Sequence, residues 1–219
     1  MSNFNYAYKT YTEPSEGGYA NVSGDKGGET YAGITYKNYP DWKGWPIVES
    51  KKKLFNGGVI PNNKKFPELT PLVQKFYLDL WNSNNFDKIK NNEVAAILYD
   101  WFINSGYSSV STKANETYGI DEILNRDFGF KLPNDYRFDT ATINAINSVD
   151  NIRLHGIIKK ERLKFYQNII AKNPTQEKFA KGWFKRIAGF PDLNVGNIGN
   201  NISLLIILSI IVTLALNAK

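Results

Sequence analysis

Apolar residues recur at three- to four-residue intervals along most of the chain, and each such run predicts a helix with one face turned inward. Phe4, Tyr8 and Tyr11 set the first helix, from about Asn3 to Thr12. Pro14 should stop it, because proline brings no backbone N–H and crowds the preceding turn. Leu72, Phe76, Leu80 and Trp81 mark another helix, opened by Thr70-Pro71 as cap and first-turn proline. Asn92 to Ser105 carries Val94, Ile97, Leu98, Trp101 and Phe102 on one side, with Asp100 and Asn104, four apart and therefore neighbours, on the other. Val110 to Tyr118 and Ile120 to Phe128 read as helical, followed by a turn over Lys131 to Asp135 and a helix capped by Asp139 or Thr140. Asn151 to Lys172 is long and amphipathic, with Ile152, Ile157, Leu163, Tyr166 and Ile170 inward and Arg153, Lys159, Lys160 and Lys164 outward. Asn173-Pro174-Thr175 breaks it before a last helix, Gln176 to Ile187.

Two stretches depart from this rhythm. Tyr19 to Val22 and Thr30 to Thr35 are β-prone and flank the turn Ser23 to Gly28, which predicts one small hairpin near the N-terminus. Residues 36–70 are rich in Pro, Gly, Asn and Lys and read as loops and short helical turns. Their aromatics, Trp42 and Trp45 above all, suit either stacking on sugar rings or a small satellite core. Ile202 to Leu216 has no charge and is apolar all round, roughly 23 Å long as a helix against a hydrocarbon core of ~30 Å. It predicts a helix over 202–217 that spans a thin bilayer or packs within a larger assembly, its own copies included, after a Gly/Asn linker over 191–201. Met1 to Thr12 is polar throughout and reads as no signal peptide.

Composition narrows the chemistry. The 219 residues contain no Cys and a single His, so disulfides, thiolate zinc sites and His-based triads are excluded, and His155 reads as a helix residue. The net charge of +6 favours polyanions in general, whether nucleic acid, anionic lipid or bacterial wall, and is too mild to choose among them; no nucleic-acid motif accompanies it, nor any Walker, dinucleotide or metal motif. No cofactor is expected. The acids are more informative. Glu16 stands just before Gly17-Gly18-Tyr19, where paired glycines let the chain turn sharply, and Asp25 lies on the hairpin with the Thr30 hydroxyl nearby. Two carboxylates on facing loops are the minimal equipment for splitting a glycosidic bond, one giving a proton and the other steering water. Glu13 and Glu29 are reserve candidates.

The ordered string Glu16-Gly17-Gly18-Tyr19, Asp25, Gly27-Gly28, Thr30, Gly33-Ile34-Thr35 resembles the EGGY-type muramidases, a lysozyme-like group of glycoside hydrolase family 108 type. Asp100, Asn104-Ser105-Gly106 and Gly182-Trp183 with Arg186 are similar to later pieces of that family. Asp135-Tyr136-Arg137-Phe138-Asp139 and Thr142 resemble a turn of small peptidoglycan-binding helical modules, with Tyr136 and Asp139 in place of its glycines. The resemblance implies a mainly α, α+β lysozyme-like fold: a catalytic part over 1–106 and a helical peptidoglycan-binding-like part over 107–190 packed on it. It implies hydrolysis of the β-1,4 bond between N-acetylmuramic acid and N-acetylglucosamine in peptidoglycan, with Glu16 as proton donor and Asp25 and Thr30 holding water. Tyr19 and Trp101 would supply an apolar surround for Glu16, and Tyr19, Trp42, Asp100, Trp101 and Asn104 would meet substrate. A lytic transglycosylase, or a wall-binding component without activity, are the alternatives.

Overall fold

The computed structural model describes residues 3–21, 28–110, 118–133, 135 and 137–193. The hairpin tip with Asp25 and the apolar segment 202–217 lie outside them, as does most of the expected helix Val110 to Tyr118. Among the described residues no helix is long and apolar enough to cross a membrane.

Eight α-helices and a three-stranded antiparallel sheet are described. Helix α1 (Phe4–Ala7) does not end where proline was expected to stop it: it runs on through a π turn, Tyr8–Thr12, and a 3-10 turn, Glu13–Ser15. Pro14 fits because it occupies the first turn of the 3-10 segment, where no helical partner awaits its missing N–H. Strands β1 (Tyr19–Ala20), β2 (Thr30–Tyr31) and β3 (Ile34–Thr35) then form two hairpins instead of one. Tyr31 pairs with Ile34, leaving Ala32-Gly33 as a two-residue turn with φ of 47° and 77°. Positive φ at both positions is the type I′ signature that matches strand twist, and the alanine disguises it in the sequence.

Residues 36–70 contain one helix the pattern did not predict, α2 (Trp45–Lys52), with Pro46 in its first turn. Then follow α3 (Thr70–Ser83), α4 (Asn92–Ser105), α5 (Ile120–Phe128), α6 (Thr140–Ser148), α7 (Asn151–Lys172) and α8 (Ala180–Ala188). The side chains of Asn91, Asp139 and Asp150 cap α4, α6 and α7 by accepting from first-turn N–H groups.

Helix α4 is the axis of the molecule, buried from Val94 to Phe102 and packed between α1 and α7. Its Tyr99 meets Trp81 and Phe86 edge-on, with Phe4 closing the group. Burying each such side chain contributes ~1.5–3 kcal/mol. One core runs from Phe4 to Phe190, and a smaller one, Tyr166, Ala180, Phe184 and Ile187, holds α8 on α7. Helix α7 buries Tyr166 as expected and packs Ile157, Leu163 and Ile170 against the cores, but its most buried positions also include charged residues the pattern did not single out. Leu154, His155, Ile158, Glu161, Arg162 and Tyr166 are buried, while Ile152 is exposed.

Candidate active site

Glu16 follows the 3-10 turn directly and is extended, with φ −91° and ψ 129°, so its side chain leaves the helix end toward the sheet. The strand beyond it runs tightly against residues 63–64: Tyr19 N–H donates to the Lys64 carbonyl at 2.9 Å, and a Cβ on Gly18 would meet that oxygen at 2.3 Å. Gly33 makes the room for the acid itself. A Cβ there would stand 2.2 Å from Glu16 Oε2 and 2.7 Å from the Tyr77 hydroxyl, which donates to the Ala32 carbonyl at 2.7 Å.

The carboxylate belongs to a buried row of alternating charges. Arg186, on α8, donates through Nη2 to Glu16 Oε1 at 3.0 Å and through Nε to both oxygens of Asp100 at 2.9 Å. Arg162, on α7, donates to Asp100 Oδ2 at 2.7 Å. The Glu16 and Arg186 side chains are 13% and 10% exposed, those of Asp100 and Arg162 0%. Burial drives the pKa of Glu16 up, the Arg186 guanidinium pulls it back and the Asp100 charge adds to the rise, leaving it above the ordinary Glu value. Asp100 goes the other way: burial would raise it, but the two guanidiniums prevail and hold it below the usual range. The two neighbouring carboxyls are thus pushed in opposite directions, and a raised pKa is the shift that suits Glu16 to giving a proton.

Glu16 opens on a cleft of about 550 Å³ lined by Thr35, Tyr39, Phe76, Tyr77, Asn104, Tyr107 and Arg186, among others. A smaller cavity of about 310 Å³ lies on its other side, between Tyr8, Tyr31 and Phe66. The larger space is of ligand-site size, and its mixture of aromatic rings and amides suits a sugar, with apolar faces for the rings and hydroxyls for the amides.

Two family models match the chain: Glycosyl hydrolase 108 over residues 10–106, and Predicted Peptidoglycan domain over residues 120–188. The part of the chain that carries Glu16 is therefore similar to glycosyl hydrolase family 108, and the part that carries Arg186 to a peptidoglycan-binding-like domain. The solved structure of Brucella abortus SagA superposes with a TM-score of 0.54 at 20% identity, over 84% of this chain and 89% of that one, a likeness of fold. No curated protein matches the sequence.

Within this glycoside hydrolase, the residues singled out in the sequence divide sharply. Glu16 and Asn104 line the cleft together. Asp25 lies outside the described residues. Thr30 sits in β2 opposite Ala20, with Oγ1 3.5 Å from the Ala20 carbonyl, and lines neither cavity on which Glu16 opens. Three expected substrate contacts are buried, and a fourth, Trp42, is partly buried against the core. Asp100 and Trp101 are fully enclosed by the packing around α4, and Tyr19 is buried beneath the sheet. Trp42 stacks on Tyr31 and fills the space beside Gly44, and Trp45 donates to the Tyr39 carbonyl at 2.7 Å, so this pair belongs to the core. Trp101 packs edge-on against Phe165 instead of facing Glu16. Of the reserve acids, Glu13 pairs with Lys9 and Glu29 with Lys52.

Arg186, Arg162, Tyr77 and the cleft residues Thr35, Tyr39 and Tyr107 had no place in the expected site. Arg186 carried a signal as the end of the Gly182-Trp183 motif, and Thr35 as the end of the Gly33-Ile34-Thr35 string. Among the described residues no cluster of three or more His, Cys, Asp or Glu could hold a metal. Glycoside hydrolysis by this enzyme acts on the bacterial cell wall, as its two matched domains together require.

Proposed function

We propose that the protein is an N-acetylmuramidase that cleaves the β-1,4 bond between N-acetylmuramic acid and N-acetylglucosamine, with Glu16 as the general acid. The observation that carries this reading is the environment of Glu16: it is the only carboxylate among the described residues lining the 550 Å³ cleft, and burial raises its pKa above the ordinary Glu value. Protonating the glycosidic oxygen lets the bond break toward an oxocarbenium-like state. The Glu16 carboxylate left behind is then stabilised by Arg186. Asn104, exposed on the cleft wall, offers its amide to the sugar. In this reading Asp25 holds the attacking water on the opposite face of the ring, which inverts the anomeric centre, while Thr30, in β2 opposite Ala20, serves the hairpin that carries Asp25.

Release of reducing ends from purified sacculi tests it. Glu16→Gln is expected to lower the rate by ~100-fold or more, the usual worth of a positioned acid, and undiminished release by this variant would overturn the assignment. A lytic transglycosylase is the second reading, favoured by the lone carboxylate among the described residues of the cleft. Such an enzyme needs one acid and no bound water, and 1,6-anhydro ends in the product mass spectrum would identify it.

A further inference from the structure

A cavity of about 650 Å³ adjoins the cleft, sharing Asn104 and Arg186 with it. Its other lining residues include Thr10 and Ser15 from the N-terminal helical run, and Lys178, Phe179, Gly182, Trp183 and Lys185 from the last turns of the fold. Phe179 is 46% exposed, an unusual state for phenylalanine, and lies against Trp183, which stacks on Tyr166 at 4.9 Å. Lys178 Nζ sits 5.0 Å over the Phe179 ring. Lys178 and Lys185 are exposed and make no ion pair among the described residues, in contrast to Lys159 and Lys164 on α7, which do.

Gly182 is the most telling member. It lies inside α8, where glycine is a poor helix residue, and a Cβ at this position would meet nothing within 4 Å. No packing requirement excludes a side chain there, so what the glycine preserves is the open volume of the cavity.

We infer that this second cavity binds the stem peptide of a muramyl unit, its carboxylates facing Lys178 and Lys185 and its small apolar side chains resting on Phe179 and Trp183. This deepens the muramidase reading and rests on it: a glycan strand with its scissile bond over Glu16 carries peptides at alternate sugars, and the groove past Asn104 and Arg186 is where one would emerge.

The test uses full-length Glu16→Gln protein and two soluble probes, peptide-bearing glycan strands and the same strands stripped of peptide by an amidase. The expected result is tighter binding to the peptide-bearing strands by about three- to tenfold, the scale of one or two exposed charge pairs. Adding Lys178→Gln with Lys185→Gln, or separately Gly182→Phe to plug the cavity, is expected to erase that preference. Equal affinity of the parent for both probes overturns the inference, as does a preference that survives both sets of changes. An equal loss on both probes also overturns it, marking a bare-glycan site. Failure of the muramidase reading is separately visible: wild-type protein would then release no reducing ends while the binding preference persisted.

Discussion

Arg186 Nη2 lies 3.0 Å from Glu16 Oε1, although 170 residues separate the two in the chain. The acid is thus set between two opposing influences, burial that keeps its proton on and a guanidinium that eases the proton off. Because Glu16 must be protonated to act, kcat/KM is expected to fall as pH rises through its elevated pKa. Arg186→Gln removes the restraining charge and should move that alkaline limb to higher pH while lowering the rate throughout. A pH–rate profile on soluble glycan checks this, and a limb that stays in place would show that another group sets it.

The same shift has a consequence for stability. A carboxyl whose folded-state pKa exceeds its unfolded value contributes fully below the unfolded pKa and loses that contribution as pH rises through the folded one. Glu16→Gln does not ionise, so its melting temperature relative to wild type should be higher at pH 8 than at pH 4. Calorimetry at the two pH values gives the answer, and a gain confined to pH 4 would contradict the raised pKa.

Asp100→Asn should be costly for a different reason. It leaves Arg162, 0% exposed and with Nε and Nη1 already unpartnered, without its carboxylate. Breaking a buried pair from one side costs about 3–5 kcal/mol, whereas replacing both members by apolar residues is often close to neutral. In urea titrations Asp100→Leu with Arg162→Met is therefore expected to lose less than the sum of the two single changes.

Gly33 and Ala32 form a matched pair of tests in one turn. Gly33→Ala drives a Cβ into Glu16 Oε2 at positive φ, so activity should drop at least ~10-fold, with a backbone cost of ~1–2 kcal/mol. Ala32→Gly relieves a non-glycine residue at φ 47° and should leave stability unchanged or raise it by up to ~1 kcal/mol. Denaturation and reducing-end assays on both variants separate turn strain from displacement of the acid.

The helices were the legible part of the sequence, because their apolar spacing is a local property. Asn92–Ser105, Ile120–Phe128 and Asn151–Lys172 have the bounds that periodicity predicts. The inward face of α7 was legible only in part: Tyr166, Ile157, Leu163 and Ile170 pack inward as their spacing predicts, but two charged positions do so as well. Glu161 and Arg162 count as outward on any polarity scale, yet they are buried because Glu161 finds Arg126 and Lys164, and Arg162 finds Asp100. The Ala32-Gly33 turn escaped because alanine rarely takes positive φ, and α2 because Pro46 reads as a breaker when it is a helix start. In the site, Glu16 announced itself through its glycines. Asp100 stood out on the right helix, but its partners are arginines and not sugar. Arg186 could not have been linked to Glu16 by any local pattern, since the contact exists only when α8 lies across the first turns of the chain.

That placement gives synthesis an order. Tyr11 stacks on Phe190 at 4.1 Å, so the first and last described segments close on each other, and Arg186 arrives with the later one. Glu16 leaves the ribosome 170 residues ahead of Arg186, its counter-charge. A chain halted before α8 would carry Glu16 with no guanidinium to steady it and no second wall for the groove. The acid is in this sense armed by a helix made long after it.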